Sequence, residues 1–151
     1  MQKQFEIHLA TRQNILKAID NLSEEQLNKI PEGFSNNIAW NVAHVLVTQQ
    51  LLCYKMANQE MSLDDSFIDL FKKGSIADYE VNQEELILIK EELSTLANKL
   101  EEDYKSGLFK EYESYPTSYN VVLNNVEDAI QFNNVHEGLH FGYIMALKKA
   151  L

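Results

Sequence analysis

The C-terminal stretch from Asn125 to Leu151 reads NVEDAIQFNNVHEGLHFGYIMALKKAL. It contains no proline and spaces Val126, Ala129, Ile130, Asn133, His136, His140, Tyr143 and Leu147 as one helical face. The segment therefore predicts a long helix whose inward stripe carries two imidazoles and an amide where packing alone would put Leu or Ile. Polar groups in a core need partners.

Working outward, the same period recurs three more times. Phe5, Leu9, Leu16 and Ile19, with Arg12 completing the stripe, predict a first helix from about Lys3 to Asn21. Ser23 and Gln26 form a capping box for a short helical turn that Pro31 and Gly33 end. A second long helix begins after Asn36 or Asn37 and continues to about Asn58. It is apolar around most of its circumference and therefore central. Between Gln59 and Val81 only Asp64 to Phe71 suggests a short amphipathic piece, and the connection is long enough to let the helices it joins run parallel. Asn82 and Glu85 make another capping box before a strict repeat of Leu86, Ile89, Leu93, Leu96 and Leu100, which ends near Tyr104. Lys105 to about Asn124, with Gly107 and Pro116, forms the last connection. Four long helices predict an all-α, single-domain bundle.

Composition agrees: 151 residues suit one core, and only two prolines and five glycines interrupt the chain. A net charge of -10, with no local cluster of lysines, argues against nucleic acid or an anionic membrane as partner. The N-terminus lacks a basic segment followed by an apolar one, and no apolar run reaches roughly 18 residues, so the expected location is the cytoplasm. Cys53 is the only cysteine, so any bound metal must use histidine and oxygen.

His136 and His140, four residues apart, lie about 40° from each other around a helix, so their rings converge on one spot. His44, on the inward stripe of the second helix one turn after Trp40, is able to approach that spot from the side. Three neutral imidazoles would hold a divalent ion and leave coordination positions open, as reactive sites do. The alternative is three core histidines, each satisfied separately. His136 to His140 also matches H-E-x-x-H, but Ala146 stands where the extended protease pattern has its third histidine. Glu137 to His140 is an E-x-x-H without a second copy, which argues against a di-iron centre.

The segments NNIAWNVAHVLVTQQLL (Asn36 to Leu52) and IQFNNVHEGLHFGYIMALKKAL (Ile130 to Leu151) resemble the two signature regions of the DinB-like family of damage-inducible bacterial proteins. The resemblance implies a four-helix bundle with up-down-down-up connectivity and a tri-histidine site at His44, His136 and His140. It implies zinc or nickel first, iron or manganese as alternatives, and relatives that are thiol-dependent isomerases and S-transferases.

The expectation for this chain is then an enzyme whose ion activates water or a low-molecular-weight thiol to attack a small electrophile. Its rival is a metal-dependent binding or stress-response module without turnover. Glu137 and Tyr143 are candidates for moving the proton, Tyr143 alternatively being a core tyrosine. Arg12, the only arginine, and Trp40 are candidates for substrate binding. Arg12 needs a carboxylate partner unless its stem snorkels to bring its head into water. His8 reads as a surface or boundary residue, and Cys53, about 180° from His44, as core. Gly138 and Gly142 form a smooth strip facing away from the histidines, which predicts either a homodimer or close packing by the chain's own connections.

Overall fold

The protein was analysed as a computed structural model describing residues 1–151. It has helices α1 (Gln2–Ile19), α2 (Glu24–Asn28), α3 (Ile38–Gln49), α4 (Asp65–Phe71), α5 (Gln83–Ser106) and α6 (Val126–Ala150). One antiparallel pair, β1 (Tyr115–Pro116) and β2 (Val122–Leu123), completes the fold. The chain is thus predominantly helical, and no helix is long and apolar enough to cross a membrane.

The polar residues that announce helices in the sequence do so physically. Ser23, Asn37, Asp64, Asn82 and Asn125 each accept a hydrogen bond from a backbone N–H of the first helical turn. At Ser23 and Asn82 the reciprocal half of the capping box forms too, through Gln26 and Glu85. Gly107 closes α5 in the left-handed region at φ 76°, where a side chain would be strained.

Packing follows the apolar stripes. α1 lies against α5 and α6, and α3 against α4, α5 and α6. Leu86, Ile89, Leu93, Leu96 and Leu100 of α5 are all buried, so the repeat read from the sequence is the face that α5 turns to the core. Two stripes are rotated from their expected positions. In α1 the buried line runs through Phe5, His8, Arg12, Ile15 and Ile19, leaving Leu9 and Leu16 half-buried. In α6 it runs from Asn133 through Glu137 to Ile144, leaving His136, His140 and Tyr143 half-buried on its flank. Arg12 and Glu137 pair inside, so the buried face of each of the two helices carries a charged group.

The second long helix does not stay α-helical. After Gln49 it widens into a π turn over Gln50–Tyr54 and tightens into a 3-10 turn over Lys55–Ala57, ending at Asn58 with φ 53°. A π turn inserts about one residue and re-aims the side chains beyond it. Here Gln49 and Gln50, adjacent in sequence, are both buried. Gln49 donates to the Leu96 carbonyl and accepts from Arg12, while Gln50 accepts from the Ser62 backbone. The β-pair, unforeseen in the sequence, is held by the turn in which Thr117 accepts from and donates to the Val121 segment. It lies beside the start of α6 and reaches the wall of the cavity described next.

Candidate metal centre

His44 comes from α3, and His136 and His140 from successive turns of α6, a helix packed directly on α3. One ring nitrogen from each lies within 4.8 Å of the others. Ring centroids are 5.1 Å apart for His44 and His136, 4.8 Å for His44 and His140, and 4.4 Å for His136 and His140. The three histidines singled out in the sequence therefore form one cluster and are not separate core residues.

The surroundings decide which nitrogens are free. Asn41 donates through Nδ2 to the Asn36 side chain and the Asn37 carbonyl, which leaves its Oδ1 facing His140 Nδ1 at 2.8 Å. An oxygen there can only accept, so His140 carries its proton on Nδ1 and keeps the Nε2 lone pair free. His44 behaves alike: Nδ1–H donates to the Phe71 carbonyl at 2.6 Å, leaving Nε2 unprotonated. Holding the distal N–H of a ligand imidazole in this way is what outer partners of metal sites do. Trp40 stacks on His44 at 4.5 Å with planes 11° apart, and its own indole N–H is anchored on Ser75. His136 Nδ1 is buried without any partner. An orphaned imidazole nitrogen next to two imidazoles with unprotonated Nε2 atoms is a donor set that fits a divalent ion.

Electrostatics point the same way. Burial lowers His44, against the opposing bond to Phe71. Burial, then the neighbouring His44, pushes His136 down to about 4, and burial with His136 and His44 pushes His140 down to about 3. All three rings are neutral near pH 7, the form that binds metal.

The cluster opens on a cavity of about 440 Å³, a size typical of small-molecule sites. Thr48, one turn after His44, lines it and sets its hydroxyl 3.3 Å from His44 Nε2. Leu51 and Leu52 of the π turn and Met56 of the 3-10 turn supply apolar wall, as do Phe132 and Leu139 of α6.

Other residues singled out in the sequence stand elsewhere. Arg12 and Glu137 are fully buried and bound to each other, with Arg12 Nη2 2.8 Å from Glu137 Oε1. Arg12 also donates to Gln49 and to the Leu93 carbonyl. Its head is therefore neither in water nor offered to a substrate, since the carboxylate it needs is Glu137. Glu137 in turn accepts from His8 at 2.9 Å and Asn133 at 2.8 Å. Burial would raise its pKa, but Arg12 and His8 overcome this and hold it well below the usual carboxylate range. It is committed to the interior and anchors α6 instead of moving a proton at the cavity. His8, only 1% exposed, is a core residue and not a surface one. Trp40 and Tyr143 do not line the cavity; Trp40 orients His44, and Tyr143 packs edge-on to Phe34. Cys53 is buried in a second apolar cluster with its thiol pushed up by burial, as expected for a core cysteine.

Asn41 and Thr48 were missed in the sequence, although each is a polar residue one turn from His44 in an otherwise apolar helix. The carbonyl of Phe71 leaves no signal in a sequence, because every residue has one. No curated protein matches the chain. A family comparison matches the DinB superfamily over residues 8–144. That span takes in α3, most of α6 and all three clustered histidines, and the chain belongs to the DinB superfamily.

Proposed function

We propose that the protein is a metal-dependent enzyme in which His44, His136 and His140 hold one divalent ion, zinc or nickel before iron or manganese. The observation that carries this reading is three neutral imidazoles with converging nitrogens on the wall of a small-molecule cavity. An ion held there would supply Lewis acidity, lowering the pKa of water or of a low-molecular-weight thiol so that either becomes a nucleophile near neutral pH.

The chain's own residues do the rest. Asn41 and the Phe71 carbonyl fix the two tautomers, and Trp40 fixes the plane of His44. Thr48, with its hydroxyl beside His44 Nε2, orients the nucleophile. The apolar wall excludes water from the electrophile. The pairing of α1 and α3 with both α5 and α6 supports the up-down-down-up four-helix arrangement, which brings α3 and α6 together for this purpose.

The reaction class is thiol transfer or hydrolysis. A non-catalytic binding or stress-response module is the less favoured reading, because no fourth protein ligand joins the cluster and a cavity adjoins it. The test is a conjugation and hydrolysis screen of metal-loaded protein against small electrophiles, with and without low-molecular-weight thiols. Turnover that disappears on chelation and in His140→Ala is expected. Fully metal-loaded protein that turns over nothing with either nucleophile would favour the module.

A further inference from the structure

The cavity beside the histidines has an uneven charge. The chain carries 23 acidic and 13 basic side chains, yet among the residues lining this cavity there is no Asp or Glu, while Lys55 and Lys73 both line it. Neither lysine belongs to any of the ion pairs in the structure, whereas the neighbouring Lys72 is paired with Asp69. They come from separate elements: Lys55 opens the 3-10 turn that ends the second long helix, and Lys73 follows α4. Two separate segments each contribute one exposed lysine, outside every ion pair, to the lining of the cavity.

Away from the three histidines and the hydroxyls of Thr48, Thr117 and Ser118, the rest of the wall is of the opposite character. Leu51, Leu52, Met56, Phe132 and Leu139 line it. A negatively charged surface repels anions in general, so two exposed, unpaired lysines bordering one largely apolar cavity make an attractive spot local to that site. Apolar walls with a few placed charges are how small-molecule sites set orientation.

The geometry points to a small amphipathic anion as the ligand of this cavity, its apolar body against the leucine, methionine and phenylalanine wall and its carboxylate, sulfonate or phosphate group at Lys55 and Lys73. Resting on the enzyme reading above, this names the substrate class: an anionic molecule whose reactive end reaches the histidines. Cationic and neutral molecules of the same shape are discriminated against.

The test uses three probes with one tail, octanesulfonate, octanol and octyltrimethylammonium, titrated calorimetrically into metal-stripped protein. Removing the metal ensures that a charged head group is not simply ligating an ion. Octanesulfonate should bind most tightly and the ammonium least. Lys55→Gln combined with Lys73→Gln should weaken octanesulfonate by about two- to thirtyfold, as for loss of two solvent-accessible ion pairs, and leave octanol unchanged. Added salt should weaken only the sulfonate. Octanesulfonate binding no tighter than octanol, or equally tight in the double variant, would overturn the inference. Elemental analysis of the same preparation before stripping keeps the two readings apart: sulfonate binding by a chain that never held metal would fault the metal reading and leave the anion site standing.

Discussion

Asn41 presents its oxygen to His140 because its amide nitrogen is already engaged by Asn36 and Asn37. The free lone pair of His140 therefore depends on three asparagines at the start of α3, well removed in sequence from the ligand they prepare. Asn41→Ala should lower metal affinity by about 10- to 100-fold with helicity unchanged, the usual cost of losing an outer partner. Competition against a chelator measures it, and unchanged affinity would remove Asn41 from the site. The Arg12–Glu137 pair acts on the same centre from behind, by fixing the rotation of α6. Glu137→Ala leaves a guanidinium buried and uncompensated, and should cost about 3–5 kcal/mol in urea unfolding. Arg12→Lys should not restore stability, because one ammonium cannot reach Glu137, Gln49 and the Leu93 carbonyl in a planar fork. A Lys variant with a wild-type midpoint would contradict that. His44, His136 and His140 were legible in the sequence because imidazoles stood at positions fit for Leu. The roles of Arg12 and Glu137 were not. Their mutual pairing spans most of the chain, and no local pattern pairs residues on the first and last helices.

Among the elements, what local chemistry dictates was readable, and what tertiary contacts dictate was not. The capping boxes at Ser23 and Asn82 and the leucine repeat of α5 are short-range features, and the helices that start near Asn37, Asp64 and Asn125 begin where the sequence pattern put them. The π turn after Gln49 left no trace, since its cause is the burial of two glutamines against α5 and the loop at Ser62. The β-pair escaped notice because each strand has only two residues, too few for an alternating pattern to show. α5 supplies no ligand, which separates stability from function. Leu93→Ala should cost about 2–5 kcal/mol in urea unfolding through the cavity it leaves, while metal content at saturation stays at the wild-type level. A variant that loses its metal while still folded would mean that α5 shapes the site directly.

For the molecule as a whole, the depressed histidines link folding to pH. With metal removed, the unfolded chain takes up protons at His136 and His140 below their ordinary value of 6.5, while the folded chain resists until about 4 and about 3. The folded state then binds fewer protons, so stability falls as pH drops from about 6.5 towards those values. The urea midpoint of metal-stripped protein should be lower at about pH 5 than at about pH 7, and the difference should shrink in His140→Ala; a flat profile would contradict the buried, neutral cluster. The outer surface of α6 bears on assembly. An added Cβ at Gly138 or Gly142 would meet open space, so the chain's own connections do not pack there. Val135 and Met145 are exposed along the same helix. We propose that a second copy covers this strip, and Gly138→Leu with Gly142→Leu should convert dimer to monomer in sedimentation while metal is retained. Wild-type protein that sediments as a monomer at high concentration would exclude this.

The centre itself is tested most directly by its metal content. Elemental analysis of the purified protein should find about one divalent ion per chain, falling sharply in His44→Ala, His136→Ala and His140→Ala while circular dichroism reports intact helices, because each residue is one of only three protein ligands. Full occupancy at unchanged affinity in all three variants would contradict the account.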